Sequence, residues 1–125
     1  MSSQNTQTTV VLVSHPGITQ NVLHSILKSL AGVTVLGANG ALTAYNVLEG
    51  QAVDTVIVDA NVPLTEKVAL VTRIKQNFPH IMCIVLTATS RNHDLLRTVG
   101  ADRILFQDCS PLEVETAVLS ANYNS

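Results

Sequence analysis

At 125 residues, 46% of them apolar, the chain has the length and the material for one domain with a substantial core and no room for a second. A formal net charge of -2 and only 3% aromatic residues supply neither the basic stripe nor the stacking rings that direct nucleic-acid binding needs. Two cysteines are too few for a disulfide framework or a zinc site, nothing resembles a signal peptide, and the longest apolar run, Ile81 to Leu86, is too short to cross a bilayer. A cytoplasmic protein without membrane contact is expected. The charged fraction of 13% is about half the roughly 25% usual for soluble domains, which favours a surface that meets another protein.

Residues 1–8 are polar and read as a frayed N-terminal tail, leaving a domain over 9–121 and a short C-terminal tail over 122–125. The first strand is "TVVLV" (9–13), and it ends abruptly in Ser14, His15, Pro16 and Gly17. A helical stripe of Val22, Leu23, Ile26, Leu27 and Leu30 follows, then a second strand, "VTVLG" (33–37). A looser stripe of Leu42, Tyr45, Val47 and Leu48 leads to the third strand, "DTVIV" (54–58), which delivers Asp59 and the turn "ANVP". After Pro63 a third stripe carries Val68, Val71, Ile74 and Lys75, and Pro79 closes it. The fourth strand, "IMCIVL" (81–86), delivers Thr87 and Ala88; a short stripe holds Leu95, Leu96 and Val99. The fifth strand, "RILF" (103–106), delivers Gln107 and Asp108, after which Ser110 and Pro111 provide an N-cap and first helical residue for a stripe of Leu112, Val114, Ala117 and Val118. Gly32, Gly50 and Gly100 fall where helix ends call for a left-handed residue. The fifth helix ends in "SANYNS", polar and weak, which hints that something once followed.

Five apolar, β-branched strands alternating with five helices predict an α/β fold, a doubly wound parallel sheet in the order 2-1-3-4-5. In such a sheet the functional crevice lies beyond the carboxyl ends of the strands, where the order reverses between the first and third. Ser14, His15, Asp59, Thr87 and Gln107 converge there.

Over nearly the whole chain these residues resemble a receiver domain of the bacterial two-component response regulators, a flavodoxin-like (βα)5 fold. "VIVDANVP" is similar to that family's strand ending in Asp-x-x-Met-Pro, with Asp59 at the phosphoacceptor position and Val62 in place of Met. "VLTAT" resembles its fourth-strand Thr/Ser-Ala, and "GADRILFQD" its Gly-Ala-x-x-Tyr-x-x-Lys-Pro. The departures matter as much. Ser14 and His15, the latter 44 residues before Asp59, stand where the family has paired acids. Gln107 replaces the lysine, Asp108 the proline after it, Ile104 the switch aromatic, and Lys67 a loop glycine; Asp59 and the switch position Thr87 survive.

The resemblance implies phosphoryl transfer to an aspartate helped by magnesium, chemistry that consists of placing and neutralising charge. Magnesium wants oxygen ligands and usually one or two carboxylates. A carboxylate about 4 Å from a unit charge contributes roughly 4 kcal/mol before desolvation at an effective dielectric near 20, and a millimolar site amounts to only about 4 kcal/mol. Losing two acids therefore predicts weak or absent magnesium binding, no metal site and no other cofactor. Histidine does not repair the loss, since imidazole suits zinc, copper or nickel. Gln107 can donate a hydrogen bond but brings no charge.

Plainer roles are available to the same residues. Ser14 or His15 could accept from the free amides of the first helix, Asp59 could be a solvated turn acid, and Thr87 a turn residue. His24, His80 and His93 read as solvated, and Cys83 as a small core residue. Lys67 could reach back to Asp59 as a charge partner in place of a metal. The preferred reading is a non-enzymatic, phosphorylation-independent receiver-like module that signals by contact with a protein, such as a histidine kinase or an output domain, or as a homodimer through the fourth helix, fifth strand and fifth helix. The alternatives are a working receiver phosphorylated on Asp59 by a histidine kinase and a small-molecule-binding flavodoxin-like domain.

Overall fold

The structure is a computed structural model that describes residues 7–123. Five parallel strands, β1 (Thr8–Ser14), β2 (Val33–Asn39), β3 (Thr55–Val58), β4 (Met82–Thr87) and β5 (Arg103–Phe106), lie in the order β2-β1-β3-β4-β5. The helices α1 (Ile18–Lys28), α2 (Ala41–Gly50), α3 (Leu64–Asn77), α4 (His93–Val99) and α5 (Pro111–Tyr123) connect them in sequence. This is the doubly wound, flavodoxin-like arrangement that the alternation of apolar runs predicts.

Successive strand residues alternate between the two faces, and each face has its own core. Val11 and Val13 of β1, Val56 and Val58 of β3, and Cys83 and Val85 of β4 pack with Ala44, Tyr45 and Leu48 of α2, Leu70, Val71 and Ile74 of α3, and Leu96 of α4. Val10, Leu12, Ile57, Ile84 and Leu86 point the other way, onto Leu23 and Leu27 of α1 and Val114, Ala117 and Val118 of α5. Both faces of the central strands are buried, which is why those strands read as unbroken apolar runs rather than alternating ones.

Several local expectations are corrected. Gly32 and Gly100 have positive φ, as expected, but Gly50 does not; it is the last residue of α2, which passes into extended backbone at Gln51. The third positive-φ glycine is Gly40, immediately before α2, with φ 88° and ψ 170°. Ser110 does head α5 in a reciprocal cap: its hydroxyl accepts from the Glu113 amide at 3.3 Å while its own amide donates to Glu113 Oε2 at 3.0 Å. β1 begins at Thr8, one residue inside the expected tail, and α5 runs two residues past the expected domain end; residues 1–6 and 124–125 of the expected tails lie outside the described residues. Among the described residues no helix is long and apolar enough to cross a membrane.

Candidate functional site at the carboxyl ends of the strands

Strand register explains the first contact. The last paired residues of β1 and β3 are Val13 and Val58, and the Asp59 amide donates to the Val13 carbonyl at 2.8 Å, so Ser14 and Asp59 stand side by side one step beyond. Continuing the alternation, both point to the α1 and α5 side. The Ser14 hydroxyl lies 2.8 Å from Asp59 Oδ2, and the Ala60 amide donates to Oδ1 at 2.7 Å. Asp59 is 2% exposed and Ser14 fully buried. Asp59 is thus no solvated turn acid, and Ser14 does not cap α1: Gly17 takes the N-cap position and no side chain bonds there.

His15, one residue on, points away from Ser14. Its Nε2 lies 3.0 Å from Glu66 Oε1, at the start of α3, and Glu66 Oε2 accepts the Ala41 amide at 2.7 Å, at the start of α2. That main-chain hydrogen bond, with the His15 contact behind it, lowers the Glu66 carboxyl below its ordinary 4.5. Asn61 secures the same loop from below: its Nδ2 donates to the His15 carbonyl at 2.7 Å and its Oδ1 accepts the His15 amide at 3.1 Å.

Thr87 follows Cys83 and Val85 on the α3 and α4 side. Its Oγ1 lies 2.9 Å from His93 Nε2, and the His93 ring tilts against Phe106 with centroids 5.3 Å apart. His93 is therefore not a solvated histidine. Ile104 is half-buried against the α3-side core, and the aromatic ring of β5 stands two residues further on, at Phe106. Gln107 donates its amide to the Thr87 carbonyl at 2.8 Å, and its exposed side chain makes no hydrogen bond with Asp59. It borders a small, largely apolar cavity of about 160 Å³ beside Asp59, with Val22, Leu23, Ile26, Leu86, Cys109 and Val114.

Lys67 enters from the first turn of α3 and is only 6% exposed. Its Nζ donates to the Leu86 carbonyl at 2.9 Å, so the direct ion pair with Asp59 that the loop position suggests is not formed. Burial lowers its ammonium below 10.5, and the field of Asp59 opposes that shift. Burial also pushes the Cys83 thiol up to about 12, keeping it a neutral core group. The Ser14 hydroxyl beside Asp59 also lies 3.1 Å from the His15 carbonyl and 3.3 Å from Asn61 Oδ1, and no group of three His, Cys, Asp or Glu residues able to hold a metal occurs among the described residues.

Glu66, Asn61, His93 and Phe106 were not legible as site residues. Asn61, two residues past the strand-end acid, carries the one available signal, since a short amide side chain there folds back on the adjoining loop.

The sequence model of the response regulator receiver domain matches residues 10–119. Among solved structures, the chain is similar to the signal receiver domain of an HD domain-containing protein from Pseudomonas fluorescens Pf-5, at 24% identity and TM-score 0.82, covering 94% of this chain and 96% of that one. The receiver domain of the sensor histidine kinase PA1611 from Pseudomonas aeruginosa, solved with a magnesium ion coordinated in its active-site cleft, matches at 19% identity and TM-score 0.80, covering 91% and 96%. The receiver domain of Ssk1 from Saccharomyces cerevisiae, crystallised with the phosphotransfer protein Ypd1, belongs to a structure matching at 14% identity and TM-score 0.78, covering 94% and 90%. No curated protein sequence matches the chain. The five-stranded order, the strand-end aspartate and a family match spanning most of the sequence lead to one conclusion: the chain belongs to the response regulator receiver domain family, the receiver modules of two-component signalling.

Proposed function

We propose that this receiver domain signals without phosphorylation, as a non-enzymatic module recognised by a protein partner. The observation that carries the reading is the 2.8 Å hydrogen bond from the Ser14 hydroxyl to Asp59: on the family resemblance an acid that holds the metal belongs at position 14, and a hydroxyl there brings no charge. One carboxylate with a hydroxyl, a main-chain carbonyl and an amide is a poor set for a magnesium ion, which is normally kept by one or two carboxylates with phosphate and water, because a single full negative charge faces the cation. Asp59 itself is buried and accepts hydrogen bonds from the Ser14 hydroxyl and the Ala60 amide, neither of which brings the positive charge that a phosphorylated state would need.

Partner contact is favoured by apolar side chains left exposed at α4, β5 and α5, namely Leu95, Phe106 and Leu112. A second copy, a histidine kinase or an output domain would meet that face. The test is incubation with acetyl phosphate or beryllofluoride in excess magnesium, read by intact mass and by amide resonances near Asp59 and Thr87. No mass increment and no shift are expected. A stoichiometric response at low millimolar magnesium would replace this reading with that of a working receiver phosphorylated on Asp59.

A further inference from the structure

A cavity of about 300 Å³ lies between the β3–α3 loop and the β4–α4 loop, on the α3 and α4 side of the sheet. That is the lower end of the size of small-molecule sites, roughly 300–1,000 Å³, and about ten times the share of one water molecule in the liquid. Val62, Leu64 and Leu96 give it an apolar wall, and Lys67, Thr87, Thr89 and Asn92 its polar groups. No Asp or Glu lines it, so its single formal charge is positive.

The polar groups have donors to spare. Lys67 Nζ makes one hydrogen bond, to the Leu86 carbonyl, and an ammonium has three N–H groups. Asn92 precedes α4 without capping it, and its side-chain amide bonds to nothing among the described residues. The Thr89 hydroxyl accepts the Arg91 amide at 3.3 Å, which leaves its own hydrogen free to donate. A buried ammonium without an ion-pair partner carries a desolvation cost that an incoming anion would offset.

We propose that this cavity binds a small oxyanion, the carboxylate or phosphate group of a small molecule, non-covalently on Lys67, with Asn92 and Thr89 orienting it. The apolar part of such a ligand would lie on Val62, Leu64 and Leu96. This site does not depend on whether Asp59 is ever modified. Thr87 lines the same cavity and is hydrogen-bonded to His93, so occupancy would be felt at the start of α4. A ligand that prefers one arrangement of that pair shifts its population by its difference in affinity for the two.

The experiment is a titration of the isotope-labelled full chain, in EDTA and at constant ionic strength, with inorganic phosphate, with acetate and with neutral acetamide. Saturable shifts of the amides of residues 61–64 and 87–92 are expected with an anion and not with acetamide; a response to phosphate alone assigns the site to phosphate-bearing ligands, and a response to acetate extends it to carboxylates. Lys67→Met should weaken binding at least about tenfold, near 1.4 kcal/mol. Asn92→Ala, which removes a side chain the fold does not use, should also weaken it and leave the rest of the spectrum in place. Asp59→Asn should retain it. No saturable shift at tens of millimolar of either anion, shifts that survive both Lys67→Met and Asn92→Ala, or loss of binding in Asp59→Asn would overturn the proposal, the last by moving the site onto the strand-end acid.

Discussion

His15 Nε2 lies 3.0 Å from Glu66 Oε1, and the other oxygen of that carboxylate holds the Ala41 amide, so one side chain joins the β1–α1 loop to the starts of α2 and α3. The Ala41 hydrogen bond, followed by the His15 contact, lowers the Glu66 carboxyl, so the unfolded chain binds its proton more readily than the native one below 4.5. The stabilisation is complete above that value and is lost as pH falls through the lowered native one. Thermal melts across the acid range should show wild type losing more stability than Glu66→Gln. Parallel curves would mean that Glu66 has no part in acid sensitivity.

Gly40 sits at φ 88° and ψ 170°, a region that residues with a Cβ rarely enter, and a Cβ there would come within 3.3 Å of Glu66 Oε2. Gly40→Ala should therefore destabilise the fold by about 1–3 kcal/mol, read from urea unfolding. Gly50→Ala is the control. That glycine has no such φ and nothing within 4 Å of its would-be Cβ, so the same change there should be neutral or stabilising.

Restoring two acids should restore the ion. With Ser14→Asp and His15→Asp together, magnesium is expected to bind in the millimolar range, about 4 kcal/mol, and to raise the melting temperature of the double variant. Wild type should melt at the same temperature with and without magnesium. An equal rise in both proteins would show that Ser14 and His15 are not what limits the site.

The Thr87–His93 pair predicts a local effect. His93→Ala removes the 2.9 Å hydrogen bond and the ring beside Phe106, and should cost about 0.5–1.5 kcal/mol for the hydrogen bond. The Phe106 ring resonances should move, while those of Tyr45, on the far side of α3, should not. Unmoved Phe106 signals would show that the two rings are not in contact in solution.

Lys67 reverses the usual pH argument. Burial lowers its ammonium, against the pull of Asp59, so between the lowered value and 10.5 the unfolded chain holds more protons than the native one. Stability owed to this residue thus rises with pH across that window and is least below it. Urea midpoints taken from neutral pH toward 10.5 should show wild type gaining on Lys67→Met. The opposite trend would indicate an ion pair that dominates over burial.

What could be read in advance was whatever repeats along the chain. Val10 to Val13, Val56 to Val58 and Cys83 to Leu86 announce strands covered on both faces, and once their order is known, Ser14, Asp59 and Thr87 must meet at one rim. The targets of long side chains could not be read. Lys67 passes by the nearby acid for a β4 carbonyl, and His93 turns inward to Thr87 because of the rotational phase of a helix only seven residues long, which the stripe of Leu95, Leu96 and Val99 leaves undetermined. Gly40 gives no such signal, because its special φ arises before a helix, whereas a left-handed glycine typically follows one.

Helix α4 is fastened at both ends. Its first residue is bonded to Thr87, and past its last residue Gly100 lies so close to Lys75 that a Cβ there would fall 2.6 Å from Lys75 Cγ; Lys75 is itself paired with Asp102 at 2.6 Å. So short a helix starts on β4 through Thr87 and ends packed on α3 through Lys75, so a change at either contact bears on its whole length. The exposed Leu95 and Phe106 lie on and beside that helix, so the outline they would offer to the partner proposed above is set by the contacts at its two ends.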